Sequence, residues 1–275
     1  MDTSTTNRVY GISPIKYAQD IPIFSKTNEY IENYEKIASD HLNKMKKTGE
    51  NPFIPEDIWV ELEESTRELV TKYSSSIDGN RLLDVGVGLG RLLSQLPASF
   101  DKYGMDISMG YLEIAKNKGI EVCYSLIEDM PYKKDVFDMI ICTDVLEHVL
   151  DLNLACLKML SVLKKGGLLI VRVPYRENLG PYLSPDYPYR FVHLRNFDEY
   201  SLKLLFDKVL GCEILEFHTA VPVAQSNLFK YHLWRPLMRT VEYAISGMKN
   251  INQGMYKLFV RSFYNPCVIN LVVKK

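Results

Sequence analysis

Residues 81–93 constrain the fold of this chain more than any other segment. They read RLLDVGVGLGRLL, an apolar run that ends in glycines at 86, 88 and 90 and is followed by a second apolar pair. A short apolar strand that breaks into a glycine turn and then a helix is the start of a β-α-β unit. Glycine permits positive φ and close approach of a ligand, and the following helix N-terminus presents unpaired N–H groups. The segment therefore predicts a ligand-binding turn in an α/β protein.

The spacing of the glycines distinguishes two kinds of nucleotide site. A dinucleotide-binding turn, G-x-G-x-x-G, needs a glycine at position 91, where this chain has Arg91. This argues against an NAD-dependent oxidoreductase. The pattern Asp84-x-Gly86-x-Gly88-x-Gly90 instead resembles the first motif of the class I S-adenosylmethionine-dependent methyltransferases.

Further along the chain, residues 126–151 strengthen that resemblance. They contain EDMPY, then VFD before an apolar run, then LEHVLD. Small-molecule methyltransferases of this class often carry these motifs in this order, and the resemblance covers about residues 80–218. One position departs from the pattern: Leu126 stands where the family usually has an Asp that accepts a hydrogen bond from the adenine amino group.

The resemblance implies that S-adenosylmethionine is the cofactor and S-adenosylhomocysteine the product. Asp106 ends the second predicted strand about twenty residues past the glycines, where an acid can accept hydrogen bonds from ribose hydroxyls. The alternative is that Asp106 only caps the next helix. The predicted cofactor-binding residues are Asp84, Gly86, Gly88, Gly90, Asp106, Ile107, Ile127, Glu128 and Asp144.

Two histidines are candidates for the base that accepts a proton from the methyl acceptor. His148 follows the fourth predicted strand, and His193 lies in a long loop after the fifth. Structural roles, such as stabilising a turn, stay open for both. The predicted substrate-binding residues are Tyr175, Arg176, Tyr189 and Arg195. The spacing of histidines and acids predicts no metal site.

The order of elements predicts an α/β fold with a doubly wound, mostly parallel, seven-stranded sheet of the Rossmann-like methyltransferase type. Residues 1–78 are expected to form an N-terminal helical extension, and residues 79–220 the cofactor-binding core. Residues 221–265 read as a basic, aromatic-rich helical insertion, and residues 266–275 as the last strand. The insertion could be a lid, an interface or a membrane-facing segment.

Composition excludes several other classes of protein. The 275 residues carry a net charge of −1, so the strong positive field of a non-specific nucleic-acid binder is missing. No apolar run reaches the length of a membrane span, and the polar N-terminus does not resemble a signal peptide. We therefore expect a cytoplasmic protein that binds no nucleic acid. Peripheral membrane contact and a homodimer stay open.

The function expected from these features is methyl transfer to an oxygen or nitrogen of a small metabolite. A sugar, or a nucleotide- or phosphate-linked intermediate, is the favoured acceptor. The alternatives are a methyltransferase for a lipid-linked acceptor at a membrane surface and a cofactor-binding module without catalysis.

Overall fold

A nine-stranded sheet forms the centre of this protein. The structure, a computed structural model, describes residues 9–220, 247 and 266–275. Its strands are β1 (Lys16–Ala18), β2 (Ile21–Ile23), β3 (Arg81–Val85), β4 (Asp101–Asp106), β5 (Glu121–Tyr124), β6 (Phe137–Thr143), β7 (Leu163–Pro174), β8 (Glu213–Ala220) and β9 (Val268–Lys274). They lie in the order β1-β2-β5-β4-β3-β6-β7-β9-β8.

The chain reverses its direction of travel across the sheet between β5 and β6. From β3 it proceeds through β4 to β5 on one side, and then it crosses to β6 on the other side of β3. All pairings from β5 through β7 are parallel, whereas β9 runs antiparallel to both β7 and β8. Ligands of open α/β sheets bind outside the carboxyl ends of the strands at such a reversal. The topology therefore places a crevice at the ends of β3, β4 and β6.

Helices cover both faces of the sheet. They are α1 (Glu29–Thr48), α2 (Glu56–Tyr73), α3 (Arg91–Gln95), α4 (Met109–Asn117), α5 (Leu152–Val162) and α6 (Glu199–Lys203), which continues as a π-helix over Leu204–Val209. Successive residues of β6 point to opposite faces of the sheet. Met139 packs on the face covered by α1 to α4, and Ile140 packs on the face covered by α5 and α6. Helices on both faces confirm the predicted doubly wound α/β fold.

The seven predicted strands are all present, and the N-terminal region adds two more. β1 and β2 form a hairpin whose two turn residues, Gln19 and Asp20, have positive φ. β2 then pairs in parallel with β5 through Ile23 and Tyr124. Residues 1–78 therefore contribute strands as well as the two predicted helices. Three-residue strands are too short to produce a visible apolar alternation in sequence.

The predicted insertion at residues 221–265 lies outside the described residues, apart from Gly247. Its role as lid, interface or membrane-facing segment stays a prediction. Within the described ranges, no helix combines the length and apolar character that crossing a bilayer requires.

Candidate active site

A large cavity opens at the carboxyl ends of β3, β4 and β6. Its volume is about 1180 Å³. The sheet forms its floor, α1 and α2 cover one side, and the loop after β7 covers another. This is the crevice that the strand order predicts. The N-terminal helices contribute Tyr30, Tyr34 and Trp59 to its wall.

The glycine turn after β3 combines a ligand-facing position with two packing positions. All three glycines have positive φ: 77° at Gly86, 50° at Gly88 and 66° at Gly90. A Cβ atom at Gly88 would meet nothing within 4 Å, so this position faces open cavity. A Cβ at Gly86 would lie 2.3 Å from the Val145 side chain, and one at Gly90 would lie 2.5 Å from Ile120. Gly90 does not line the cavity, contrary to its predicted ligand contact; its lack of a side chain instead allows the start of α3 to pack against Ala115 and Ile120.

The carboxylate of Asp106 organises the turn from the neighbouring strand. It accepts hydrogen bonds from the backbone N–H groups of Gly88 (2.9 Å), Ile107 (2.8 Å) and Ser108 (2.9 Å). Burial raises the pKa of Asp106 to about 6, although these three N–H groups act in the opposite direction. The helix that follows is capped by the Ser108 side chain, which accepts from Tyr111. Asp106 is therefore not the side-chain cap of that helix, and its carboxylate lines the cavity.

Three charged side chains meet at the floor between β3, β6 and β7. Arg172, only 3% exposed, donates to Asp144 and to the backbone carbonyl of Leu62. Burial and the nearby charge of Asp106 raise the pKa of Asp84 to about 8, while Arg172 lowers it. One oxygen of Asp84 has no hydrogen-bond partner among the described residues. Asp84 thus presents an unsatisfied carboxyl group beneath the glycine turn.

The loop after β5 forms the far wall of the cavity. Ile127, Glu128 and the apolar side chain of Leu126 line it, and the predicted contact of the first two with the cofactor stays a prediction. The backbone N–H of Leu126 donates to Ser25 Oγ at 2.8 Å, and that hydroxyl donates to Asp129 at 2.7 Å. The segment after β2 therefore holds this loop in place.

Both predicted base candidates face the same part of the cavity. The rings of His148 and His193 lie with centroids 4.5 Å apart, nearly perpendicular to each other. Tyr34 Oη is 2.9 Å from His148 Nδ1, and the Glu177 carboxylate is 2.5 Å from His193 Nδ1. Glu147 lies beside them and is fully buried.

The environments of the two imidazoles differ electrostatically. Burial lowers the pKa of His148 to about 3, and His193 adds to that effect. Asp144 and the Val192 carbonyl act in the opposite direction but do not overcome it. His148 is therefore neutral at physiological pH. His193 is distinguished by its carboxylate partner, which fixes Nδ1 as a donor and leaves Nε2 with a free lone pair.

The predicted substrate-binding residues separate into two groups. Tyr175, Arg176 and Tyr189 line the cavity. Arg195 does not; its guanidinium donates to the backbone carbonyls of Leu146, Val149 and Leu150. These bonds hold Arg195 against the loop before α5 and away from the cavity, contrary to its predicted contact with the substrate.

Comparison with known proteins identifies the family. Residues 83–171 match the family described as "Methyltransferase domain". This segment is a methyltransferase domain of the class I S-adenosylmethionine-dependent type.

Two curated relatives and one solved structure give the extent of the similarity. An uncharacterised protein of Methanocaldococcus jannaschii is 27% identical over 57% of this chain and 68% of its own length. The ubiquinone biosynthesis O-methyltransferase of Rickettsia felis is 30% identical over 51% of this chain, and the match spans 59% of that relative's length. A Haloferax volcanii protein solved in complex with the Trm112 methyltransferase activator covers 91% of this chain and 99% of its own, with a TM-score of 0.57 and 12% identity. The last match concerns the fold alone.

The site residues of this methyltransferase fit S-adenosylmethionine, the cofactor of the family. Open space in front of Gly88 leaves room for a ligand beside the backbone, and the Asp106 carboxylate lies next to it. Carboxylates outnumber guanidinium groups in the cavity lining, which favours a cationic sulfonium and its ammonium group. One oxygen of Asp84 has no hydrogen-bond partner among the described residues, so it would be available to accept from such a group.

Sequence reasoning missed several groups that this methyltransferase places at the site. Glu147 belongs to the motif LEHV, where the sequence alone favours a role in stabilising the turn. Arg172 lies in an apolar strand with no local pattern to mark it, and Tyr34 lies on a helix far away in sequence. Glu177 directly follows Tyr175 and Arg176, so an extension of the predicted loop site by one residue would have included it.

Proposed function

We propose that this methyltransferase transfers the methyl group of S-adenosylmethionine to an oxygen or nitrogen of a small metabolite. The observation that carries the proposal is one cavity lined by two chemically different groups of residues. Gly88 and Asp106 lie together and suit the cofactor, and His148 and His193 lie together and suit an acceptor. A metabolite seated beside the histidines would lie next to the transferred methyl group.

The acceptor end is rich in phenol groups. The cavity lining includes Tyr30, Tyr34, Tyr182, Tyr187 and Tyr189. Phenol rings provide flat apolar surface together with hydroxyl groups, which suits a ring-shaped acceptor such as a sugar or an aromatic alcohol. Arg176 at the rim suits a phosphate- or nucleotide-linked form of such a ring. These contacts support a small polar ring as the acceptor class.

The residues of the chain contribute alignment, exclusion of water and removal of a proton. When bound, S-adenosylmethionine supplies an electrophilic methyl group on a sulfonium. Asp106 would orient the ribose, and the side chains of α1 would keep water from the reacting atoms. His193 is the better proton acceptor of the two histidines, because Glu177 stabilises the imidazolium that forms. His148, with its lowered pKa, retains a proton poorly.

Oxygen is the favoured acceptor atom. The Rickettsia felis relative is named as an O-methyltransferase of ubiquinone biosynthesis, and a hydroxyl must lose its proton during methylation. A lipid-linked acceptor at a membrane surface is the second candidate, supported by the basic and aromatic composition of residues 221–265. A cofactor-binding module without catalysis is the third, since the same glycines and acids would serve binding alone.

A binding titration followed by a turnover screen tests the proposal. Calorimetry with S-adenosylhomocysteine, with NAD in parallel, should show binding of the former alone. A screen with labelled methyl donor should then find transfer to hydroxyl compounds carrying a sugar or aromatic ring. Binding without transfer to any hydroxyl, amine or lipid-linked acceptor would leave the non-catalytic module as the better account.

Variants of the histidines separate the chemical step from binding. His193→Gln should lower kcat with little change in affinity for S-adenosylhomocysteine, because the base acts only in the chemical step. His148→Gln is the parallel test of the second candidate. His218→Gln, in β8 and outside the cavity lining, is the matched control. Unchanged kcat in both cavity variants would mean that neither imidazole accepts the proton.

A further inference from the structure

Glu147, His148 and His193 bring three good metal-binding groups to one point of the cavity wall. One candidate ligand atom from each lies within 4.8 Å of the other two, and His148 Nε2 is 4.0 Å from a Glu147 carboxylate oxygen. Ligands of a single tetrahedral zinc ion, at bond lengths of about 2.0–2.1 Å, lie about 3.3 Å apart. Small side-chain rotations would therefore bring the three groups to ligand spacing.

Hydrogen bonds behind the two imidazoles direct the correct nitrogen toward that point. Tyr34 Oη contacts His148 at Nδ1, which leaves Nε2 facing Glu147. Glu177 accepts from His193 Nδ1, and Tyr182 donates to the other oxygen of Glu177 at 2.7 Å. Metal-binding histidines almost always have their second nitrogen held in this way by a carboxylate, carbonyl or water. Glu177 is such a partner for His193, and the Tyr34 hydroxyl takes the corresponding place at His148.

The carboxylate of Glu147 gives a second, independent reason to expect a cation. The residue is fully buried and lines the cavity. Apart from its own backbone N–H, neither oxygen has a hydrogen-bond donor within the described residues. Burying a carboxylate without a partner costs folding free energy, and coordination to a metal ion is one of the few ways to offset that cost.

We propose that Glu147, His148 and His193 bind one divalent transition-metal ion of the zinc type. Two imidazoles and one carboxylate favour zinc or iron over magnesium or calcium, which prefer oxygen ligands. Three protein ligands leave a fourth position open toward the cavity, as in catalytic zinc sites.

The metal site stands on its own geometry, but its role rests on the proposed function. At the open position the ion would bind the acceptor's hydroxyl oxygen and lower the pKa of that hydroxyl, whose proton would pass to solvent. The two imidazoles would then act as ligands, and the ion would take over the task assigned above to a histidine base. This deepens the proposed O-methylation, because an amine acceptor gains less from such an ion.

Calorimetric titration of the chelator-treated full chain with zinc chloride tests the site. We expect one zinc ion per chain to bind to the wild type, and magnesium chloride to bind far more weakly. Glu177→Gln should weaken zinc binding by about 10- to 100-fold, the usual effect of removing an outer hydrogen-bond partner. His193→Ala should weaken it further, because it removes a ligand. His218→Ala is the matched control and should bind zinc like the wild type.

Titration with S-adenosylhomocysteine accompanies each variant and reports whether the cofactor half remains folded. Absence of one-to-one zinc binding in a wild-type protein that binds S-adenosylhomocysteine would overturn the metal site and leave the proposed function intact. Unchanged zinc affinity in a folded His193→Ala variant would also overturn it. Should that variant not fold, X-ray absorption of the zinc-loaded wild type decides: imidazole and oxygen ligands support the site, and sulfur ligands contradict it. Zinc binding without methyl transfer to any acceptor would instead count against the proposed function alone.

Discussion

Replacement of Asp106 by alanine should weaken cofactor binding by an amount that the geometry of its carboxylate sets. A carboxylate has about four acceptor positions, and in Asp106 three of them accept backbone N–H groups. One position is left for a ribose hydroxyl. A hydrogen bond to a charged group contributes about 1.5–3 kcal/mol, so Asp106→Ala should raise the Kd of S-adenosylhomocysteine by about 10- to 160-fold.

The assay is calorimetric titration with S-adenosylhomocysteine, alongside a thermal melt of each protein. Asp101→Ala is the matched control, because Asp101 is an exposed acid at the opposite end of the same strand, β4. The control should bind like the wild type. An unchanged Kd in a folded Asp106→Ala protein would refute the assignment of Asp106 to the ribose.

Three further predictions concern the glycine turn and the charged floor. Gly90→Ala should lower Tm more than Gly88→Ala, because both glycines lie at positive φ but only a Cβ at Gly90 would meet other atoms. In titrations, only Gly88→Ala should also weaken the binding of S-adenosylhomocysteine. Equal effects of the two substitutions on Tm and on binding would contradict these roles. The affinity for S-adenosylmethionine should rise as pH increases through about 8, the pKa of Asp84, because deprotonation of Asp84 adds a negative charge beside the cationic cofactor. Calorimetric titrations below and above that pH test this rise in affinity. The Asp84→Asn variant should show a flatter dependence of affinity on pH. Arg172→Met should lower the free energy of unfolding, measured in urea, by about 1–3 kcal/mol, because the Leu62 carbonyl and the Asp144 carboxylate lose their donor. A stability equal to that of the wild type would show that these hydrogen bonds make no net contribution.

Much of the fold was predictable because its signals are local. The glycine turn, the apolar runs of the seven predicted strands and the acids at their ends all depend on neighbouring residues. Strand ends also indicate which residues reach the crevice, which is why Asp84, Asp106 and Asp144 were found. The hairpin β1–β2 was missed, because its short strands gain their stability from pairing with β5 and from no pattern of their own.

The chemistry of the acceptor end was harder to predict from the sequence, because its residues come from segments that lie far apart along the chain. Tyr34 reaches His148 from α1, and Glu177 reaches His193 from within the loop after β7. Arg195 shows the opposite difficulty: a basic residue in a predicted site loop turned out to hold backbone carbonyls. Residue type and loop position indicate a candidate, but the direction of the side chain depends on packing that sequence spacing does not encode.

The attachment of the N-terminal segment to β5 has a consequence for attempts to trim this protein. Residues 83–171, which carry the matched domain, include every glycine and acid of the cofactor motif but exclude Ser25 and β2. A fragment cut at those limits would expose the edge of β5 and lose the hydroxyl that holds the backbone of Leu126. The loop beside the cofactor would then have no fixed position. The smallest portable unit for domain fusion or engineering therefore begins before β2, well upstream of the first recognisable motif.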